Sequence, residues 1–178
     1  MAVEPFRVLY ADPPWPFNDP LSGKGRGAVK NYGLLSIEEI KQFPLPLLAD
    51  DSTLFLWRVA SMQEEALAVM RAWGFQLKSE IVWNKRARNG KPWFGMGRTV
   101  RASHEVALIG VRGRPATLSH SVRSTFEAVV RKHSEKPDEF YTIVEQLRAG
   151  PYVELFARRR RLGWTCLGNE LLEGGTDG

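Results

Sequence analysis

Short apolar runs alternate along this chain with segments of helical period. Val8, Leu9 and Tyr10 centre the first run, which predicts a buried strand over 7–11. Asp12-Pro13-Pro14 ends it, because proline cannot donate to a sheet ladder. Further strands are predicted over 53–58 (around Leu54-Phe55-Leu56-Trp57), 77–84, 105–111 (around Val106-Ala107-Leu108-Ile109) and 152–156. Between them, Ser36 with Glu39 forms a capping box that opens a short helix to about Gln42, and Ser61 with Glu64 forms a second. Met62, Ala66, Val69, Met70 and Trp73 follow at helical spacing, and Gly74 stops that helix. Pro137 begins a last helix with Phe140, Ile143, Val144 and Leu147 on one face, ended by Gly150. Residues 112–134 read as a loop with short helical turns, and the tail after Gly163 as a return over the body.

This alternation predicts one α/β domain over residues 1–178, with a mostly parallel central sheet and flanking helices. Neither an internal repeat nor a linker interrupts it. In open α/β sheets, ligands bind beyond the carboxyl ends of the strands. The first strand delivers Asp12 to that edge. Residues 18–32 follow as a loop made mobile by Gly23, Gly25, Gly27 and Gly33 and basic by Lys24, Arg26 and Lys30. Its place beside a strand-edge carboxylate suits a lid better than a plain surface connection.

The formal charge of +5 and the pI near 9.6 point mildly to a polyanionic partner. Lys85, Arg86, Arg88, Lys91, Arg98 and Arg101 cluster in mid-chain, and Arg158 to Arg161 form a second run. The single cysteine, Cys166, excludes an intrachain disulfide and a cysteine zinc cluster. His104, His120 and His133 lack a metal-ligand spacing, so no metal is expected. No stretch approaches membrane-spanning length and no apolar signal segment opens the chain, so a cytoplasmic location is the expectation. The six tryptophans read mostly as core residues.

Asp12-Pro13-Pro14-Trp15 carries the chemistry. A plain strand-terminating turn uses the same residue types. The alternative is a pair of rigid acceptors. An exocyclic adenine amine is a poor nucleophile, because its lone pair is delocalised into the ring. The Asp12 carboxylate and the Pro13 carbonyl, stiffened by Pro13 and Pro14, suit acceptance from its two N–H groups. Trp15 offers a flat face on which an extruded base stacks.

The chain resembles the MT-A70 family of N6-adenine methyltransferases, in its compact bacterial and phage form. The resemblance rests on Ala11-Asp12-Pro13-Pro14-Trp15, Tyr32-Gly33, Leu54-Phe55-Leu56-Trp57, Trp73-Gly74-Phe75 and Ile81-Val82-Trp83-Asn84-Lys85. It continues through Val111-Arg112-Gly113, Lys136-Pro137-Asp138-Glu139, Glu154-Leu155-Phe156 and Leu167-Gly168-Asn169. Their order and spacing together carry it. The resemblance implies a Rossmann-like S-adenosylmethionine-dependent methyltransferase fold in which the catalytic motif precedes the cofactor-binding segment. It implies that Lys136 reaches the carboxylate end of S-adenosylmethionine, that Phe156 lies against the cofactor, and that Arg158 and Asn169 hold its ribose and adenine. Asp12 belongs to that cofactor site as well as to catalysis, and Tyr32 helps receive the target base. The chain departs from the family pattern at Ala157 and Arg159, where glycine and proline are usual, and at Arg160 and Arg161, where small polar residues are usual. It departs also at Glu135, where histidine is usual, and at Glu170, where glutamine is usual. A carboxylate suits a ribose diol, so Glu170 joins the expected cofactor ligands.

The basic loop 85–101 contains Trp93 and Phe94 among its charges, which suits a nucleic-acid strand. Lys85, Arg86, Arg98 and Arg101 are its expected substrate contacts. An ordinary loop with its aromatics packed down is one alternative, and a contact to a second copy or partner subunit is another. The compact form favours DNA over RNA. Two other function classes compete with an active N6-adenine methyltransferase. One is a catalytically silent nucleic-acid-binding partner, which an intact Asp-Pro-Pro-Trp motif argues against. The other is methylation of a protein amide or small molecule, which the basic loops argue against.

Overall fold

The computed structural model describes residues 4–16, 34–97, 99–131 and 135–168. Seven strands form one sheet: β1 (Phe6–Ala11), β2 (Leu48–Arg58), β3 (Gln76–Arg86), β4 (His104–Arg112), β5 (Thr125–Val129), β6 (Tyr152–Leu155) and β7 (Trp164–Leu167). Their order across the sheet is β5-β3-β4-β2-β1-β6-β7. Only β4 runs against its neighbours β2 and β3, and the other pairings are parallel. The mostly parallel sheet expected from the alternation is present, with one reversed strand inside it. That reversal brings the start of β4 to the edge where the other strands end.

Side chains alternate across the sheet and divide the core in two. Leu9, Ala11, Leu54, Leu56, Leu108 and Val153 face α1 (Ile37–Lys41) and α2 (Gln63–Ala72), where Ile40, Ala66, Val69 and Met70 close the layer. Val8, Tyr10, Phe55, Trp57 and Trp83 face α3 (Asp138–Leu147), through Phe140, Tyr141 and Val144. Five of the six tryptophans are buried, and Trp93 is the exception.

The Ser36–Glu39 capping box is complete. The second expected box is not formed: a 3-10 turn over Ala60–Met62 precedes α2, whose N-cap Met62 makes no side-chain cap bond. Ser61 is absorbed by that tighter turn and never reaches the cap position. α3 ends at Arg148, ahead of Gly150. β2 starts at Leu48, ahead of the apolar run, because Phe6 of β1 pairs with Leu48. Residues 112–134, read as loop, contain the edge strand β5. Its pattern is weak because only Ala128 is buried in it. β5 also extends β3 through Lys85 and Arg86, which pair with Ala128 and Val129. The sequence reading put both residues in the loop. The tail returns as β7 along β6. Among the described residues no helix is long and apolar enough to cross a membrane.

Candidate active site

Asp12 leaves the buried end of β1 between two neighbouring strand ends. Ala11 pairs with Leu56 of β2 and with Leu155 of β6, so Trp57 and Phe156 flank the carboxylate. Pro13 and Pro14 prevent the chain from continuing the ladder. A tight turn follows, in which the Trp15 N–H donates to the Pro13 carbonyl at 2.8 Å. A carbonyl has two lone pairs, and this turn uses one of Pro13's.

Trp15 departs from its expected role. Its ring is 5% exposed and packs in the core beneath α1 and α2. The indole N–H donates to the Trp57 carbonyl at 3.0 Å. It is a wedge that ties the motif to the end of β2, and it presents no open stacking face. A tryptophan anchors here because one side chain fills a core site and satisfies a strand-end carbonyl.

A line of alternating charges runs from Asp12 across the sheet edge. The Lys136 ammonium lies 2.9 Å from Asp12 and 3.1 Å from Glu105, and Lys85 pairs with the other oxygen of Glu105. Lys136 also sits 5.2 Å from the Trp57 ring centroid, over its face. Burial by itself would pull the Lys136 pKa down, but the Asp12 and Glu105 carboxylates outweigh it and hold it up. Burial would likewise raise Glu105, yet Lys136 and Lys85 hold it below the usual range. Both groups therefore stay charged. An ammonium has three donors, and two of Lys136's go to Asp12 and Glu105.

Beyond Lys136, the cavity at Asp12 is lined by Tyr10, Glu135, Tyr141, Glu154, Arg158 and Arg159. Glu154 is 7% exposed and accepts from the Tyr141 hydroxyl at 3.0 Å on both oxygens. Burial raises its pKa to about 7, the Tyr141 hydrogen bond opposes the rise, and the nearby Asp12 charge adds to it. Tyr10 stacks on Tyr141 with ring centroids 5.0 Å apart and accepts the Trp57 indole N–H at 2.8 Å.

Phe156 holds a left-handed backbone at φ 60°, a strained conformation for a bulky side chain. That kink turns the chain after β6 back across the edge, where its ring meets Phe43 at 4.6 Å between centroids. Gly168 serves the same turn. A Cβ there would overlap the Ala157 carbonyl, and only glycine lets the Ala157 N–H reach the Leu167 carbonyl at 3.0 Å. The departures at Glu135 and Arg159 are linked, since the two form an ion pair at 3.5 Å. Arg161 lies over the Tyr141 ring at 4.3 Å and reaches Asp138 at 3.4 Å.

The structure thus gathers Asp12, Pro13, Lys136, Phe156 and Arg158 at one strand edge. Lys85 belongs to the charge line at that edge, while Arg86 pairs with Glu127 on the outer strand. Arg101 lies farther along the loop and donates to Gly97. Tyr32, Arg98, Asn169 and Glu170 fall outside the described residues. Val111-Arg112-Gly113 proves to be the end of β4 and a turn at the opposite end of the sheet, where Gly113 packs on Asp50 and Asp51. Glu105, Tyr10, Tyr141 and Glu154 were not anticipated. A carboxylate inside the four-residue apolar strand β6 was the one legible signal among them.

The MT-A70 family model matches residues 6–170. The human N(6)-adenosine-methyltransferase catalytic subunit METTL3 is 33% identical over 93% of this chain and 28% of its own length. The MT-A70-like N(6)-adenosine-methyltransferase of Drosophila melanogaster is 32% identical over 93% of this chain and 27% of its own. The type II methyltransferase M.MunI of Mycoplasma sp is 27% identical over 93% of this chain and 78% of its own length. The chain therefore spans about a quarter of the N(6)-adenosine-methyltransferases it matches. The match runs from the first residue of β1 to beyond β7 and so takes in every element of the site: this chain belongs to the MT-A70 family.

Proposed function

We propose that this chain transfers a methyl group from S-adenosylmethionine to the N6 amine of adenine in a nucleic acid, with DNA as the polymer. The observation that carries the reading is the Asp12 carboxylate of an Asp-Pro-Pro-Trp motif, delivered by β1 to the sheet edge, held by Lys136 at 2.9 Å and facing the cavity there. Asp12 and the Pro13 carbonyl would accept from the two N–H groups of one amine, drawing its nitrogen toward tetrahedral geometry and freeing its lone pair. The amine gains a methyl and gives up a proton, for which Asp12 is placed as acceptor.

The charged side chains around Asp12 suit the cofactor's charges. S-adenosylmethionine supplies an electrophilic methyl on a sulfonium when bound. Asp12 and Glu135 would offer negative charge for its cationic groups, and the third donor of Lys136 would serve its carboxylate. Phe156 and Arg158, with Asn169 and Glu170 beyond them, would hold the nucleoside end. No metal and no covalent intermediate are needed, because positioning supplies most of the acceleration. DNA is favoured by the likeness to the type II methyltransferase, which is 27% identical over 93% of this chain.

The test is transfer of labelled methyl to matched DNA and RNA, single- and double-stranded, followed by digestion to nucleosides. N6-methyladenine should form on DNA. Asp12→Ala should lower turnover at least about 10²–10³-fold, the loss typical of one oriented catalytic hydrogen-bonding group. Near wild-type turnover in that variant would refute the role of Asp12.

A further inference from the structure

Residues 87–103 are not used by the chemistry above. They leave the end of β3 and return to the start of β4, and so rise from the sheet edge that carries Asp12. The segment is tied to itself and to its root. The Ala87 N–H donates to Lys91 at 2.9 Å, the Trp93 N–H to the Lys85 carbonyl at 3.0 Å, and the Gly95 N–H to Ala102 at 3.1 Å. A Cβ at Gly95 would overlap the Ala102 carbonyl and one at Gly97 the Val100 carbonyl. Glycine at both places lets the two limbs cross closely.

Among the described residues this loop holds three large apolar side chains in solvent. Phe94 is 76% exposed, Met96 79% and Val100 75%. Large apolar side chains held in solvent on a loop tied to its root mark a binding surface, since they contribute nothing to the core. Its charge names the partner. The segment carries Arg88, Lys91, Arg98 and Arg101 and not one carboxylate. The Arg101 guanidinium lies 5.3 Å from the Phe94 centroid, covering one face of the ring. The other face has no cation on it among the described residues.

We infer that Phe94, backed by Arg101, is a stacking platform for an unpaired base flanking the target adenine, so that the substrate is a single strand or a locally opened one. The inference rests on the reading of the chain as a nucleic-acid methyltransferase and specifies the strandedness that reading leaves open. A base within a duplex has both faces covered by its neighbours and gains nothing from an exposed ring. An unpaired base gains a full stacking partner, whatever its identity. The surrounding cations meet the phosphates on either side. Lys85 and Glu105, at the roots of the two limbs, are also the outer members of the charge line to Asp12. A strand bound along the loop therefore leads to the catalytic carboxylate.

The experiment uses the full chain and single-stranded DNA and RNA oligonucleotides of one sequence containing a single adenine, alongside their duplexes. Affinity is read by fluorescence anisotropy and transfer by label incorporation, at one salt concentration. Wild type should bind single strands more tightly than duplexes. Phe94→Ala should raise Kd and KM roughly 5- to 150-fold, the range of one base–aromatic stack, with kcat within about twofold. Phe94→Tyr should restore both. An abasic site at one flanking position should erase the difference between wild type and Phe94→Ala. Unchanged Kd and KM in Phe94→Ala, with wild type active, would overturn the platform alone. So would sedimentation showing a wild-type dimer that Phe94→Ala dissociates, which would make the tip a subunit contact. Wild-type protein that neither binds nor methylates any of these polymers would overturn the underlying reading with it.

Discussion

At the scale of single residues, the site depends on how a few charges hold one another. Lys136 neutralises both Asp12 and Glu105 where water is largely excluded, with its own side chain 12% exposed. Lys136→Met should therefore cost about 2 kcal/mol, measured by denaturant unfolding. That is below the 3–5 kcal/mol of fully buried pairs, because Asp12 and Glu105 remain 21% and 28% exposed. Calorimetry should also show weakened S-adenosylmethionine binding. Unchanged stability and cofactor affinity would remove Lys136 from both roles. Lys136 was legible in the sequence only through the family pattern. Glu105, its second partner, was not, because nothing local distinguishes a glutamate that opens a reversed strand from one on a solvated face. Trp15 shows the opposite error. Its residue type was read as a stacking face, whereas burial and one hydrogen bond to Trp57 make it an anchor.

At the scale of elements, one turn at the site and one at the far end of the sheet separate stability from function. Both Gly168 and Gly113 lie against backbone that a side chain would overlap. Alanine at either should cost about 1–3 kcal/mol in unfolding experiments, as strained backbone positions do. Only Gly168→Ala should also lower cofactor affinity, because it displaces the turn that carries Ala157 and the start of the segment after β7. Equal cofactor affinity in the two variants would detach that turn from the site. The long periodic elements were legible because burial of one face leaves a pattern: β1, the core of β2, α2 and α3 fall where they were expected. The edge strand β5 left none, since one residue in five is buried. The Ser61–Glu64 box failed because the sequence offers a cap but does not fix which turn uses it.

At the scale of the molecule, the pocket leaves a mark on global stability. Glu154 has its pKa raised from 4.5 to about 7 by burial. Between those values the folded chain binds a proton that the unfolded chain has released. Unfolding free energy from this group therefore falls as pH rises through that window, and the loss is complete above about 7. Glu105 and Asp138, held below their usual range, act in the opposite sense, with stability lost as pH falls through their folded values. Comparing wild type with Glu154→Gln isolates the one term. The variant should gain on wild type between pH 5 and 8, by up to about 3 kcal/mol at 1.36 kcal/mol per pKa unit. A stability difference that is the same at both pH values would contradict the shift.

The sequence by itself determined that the chain is an α/β domain, that its first strand delivers Asp-Pro-Pro to a sheet edge, and which family pattern it follows. Those properties are local or periodic: an apolar run, a proline that cannot pair, a cap, a spacing. Tertiary structure alone decided which charges meet at that edge. Lys136 follows β5, Glu105 opens β4 and Glu154 lies in β6, and each reaches the cavity because strand order and one reversed strand bring distant ends together. It also decided that Trp15 is buried while Phe94 stands in solvent, two aromatic residues whose roles only packing could tell apart.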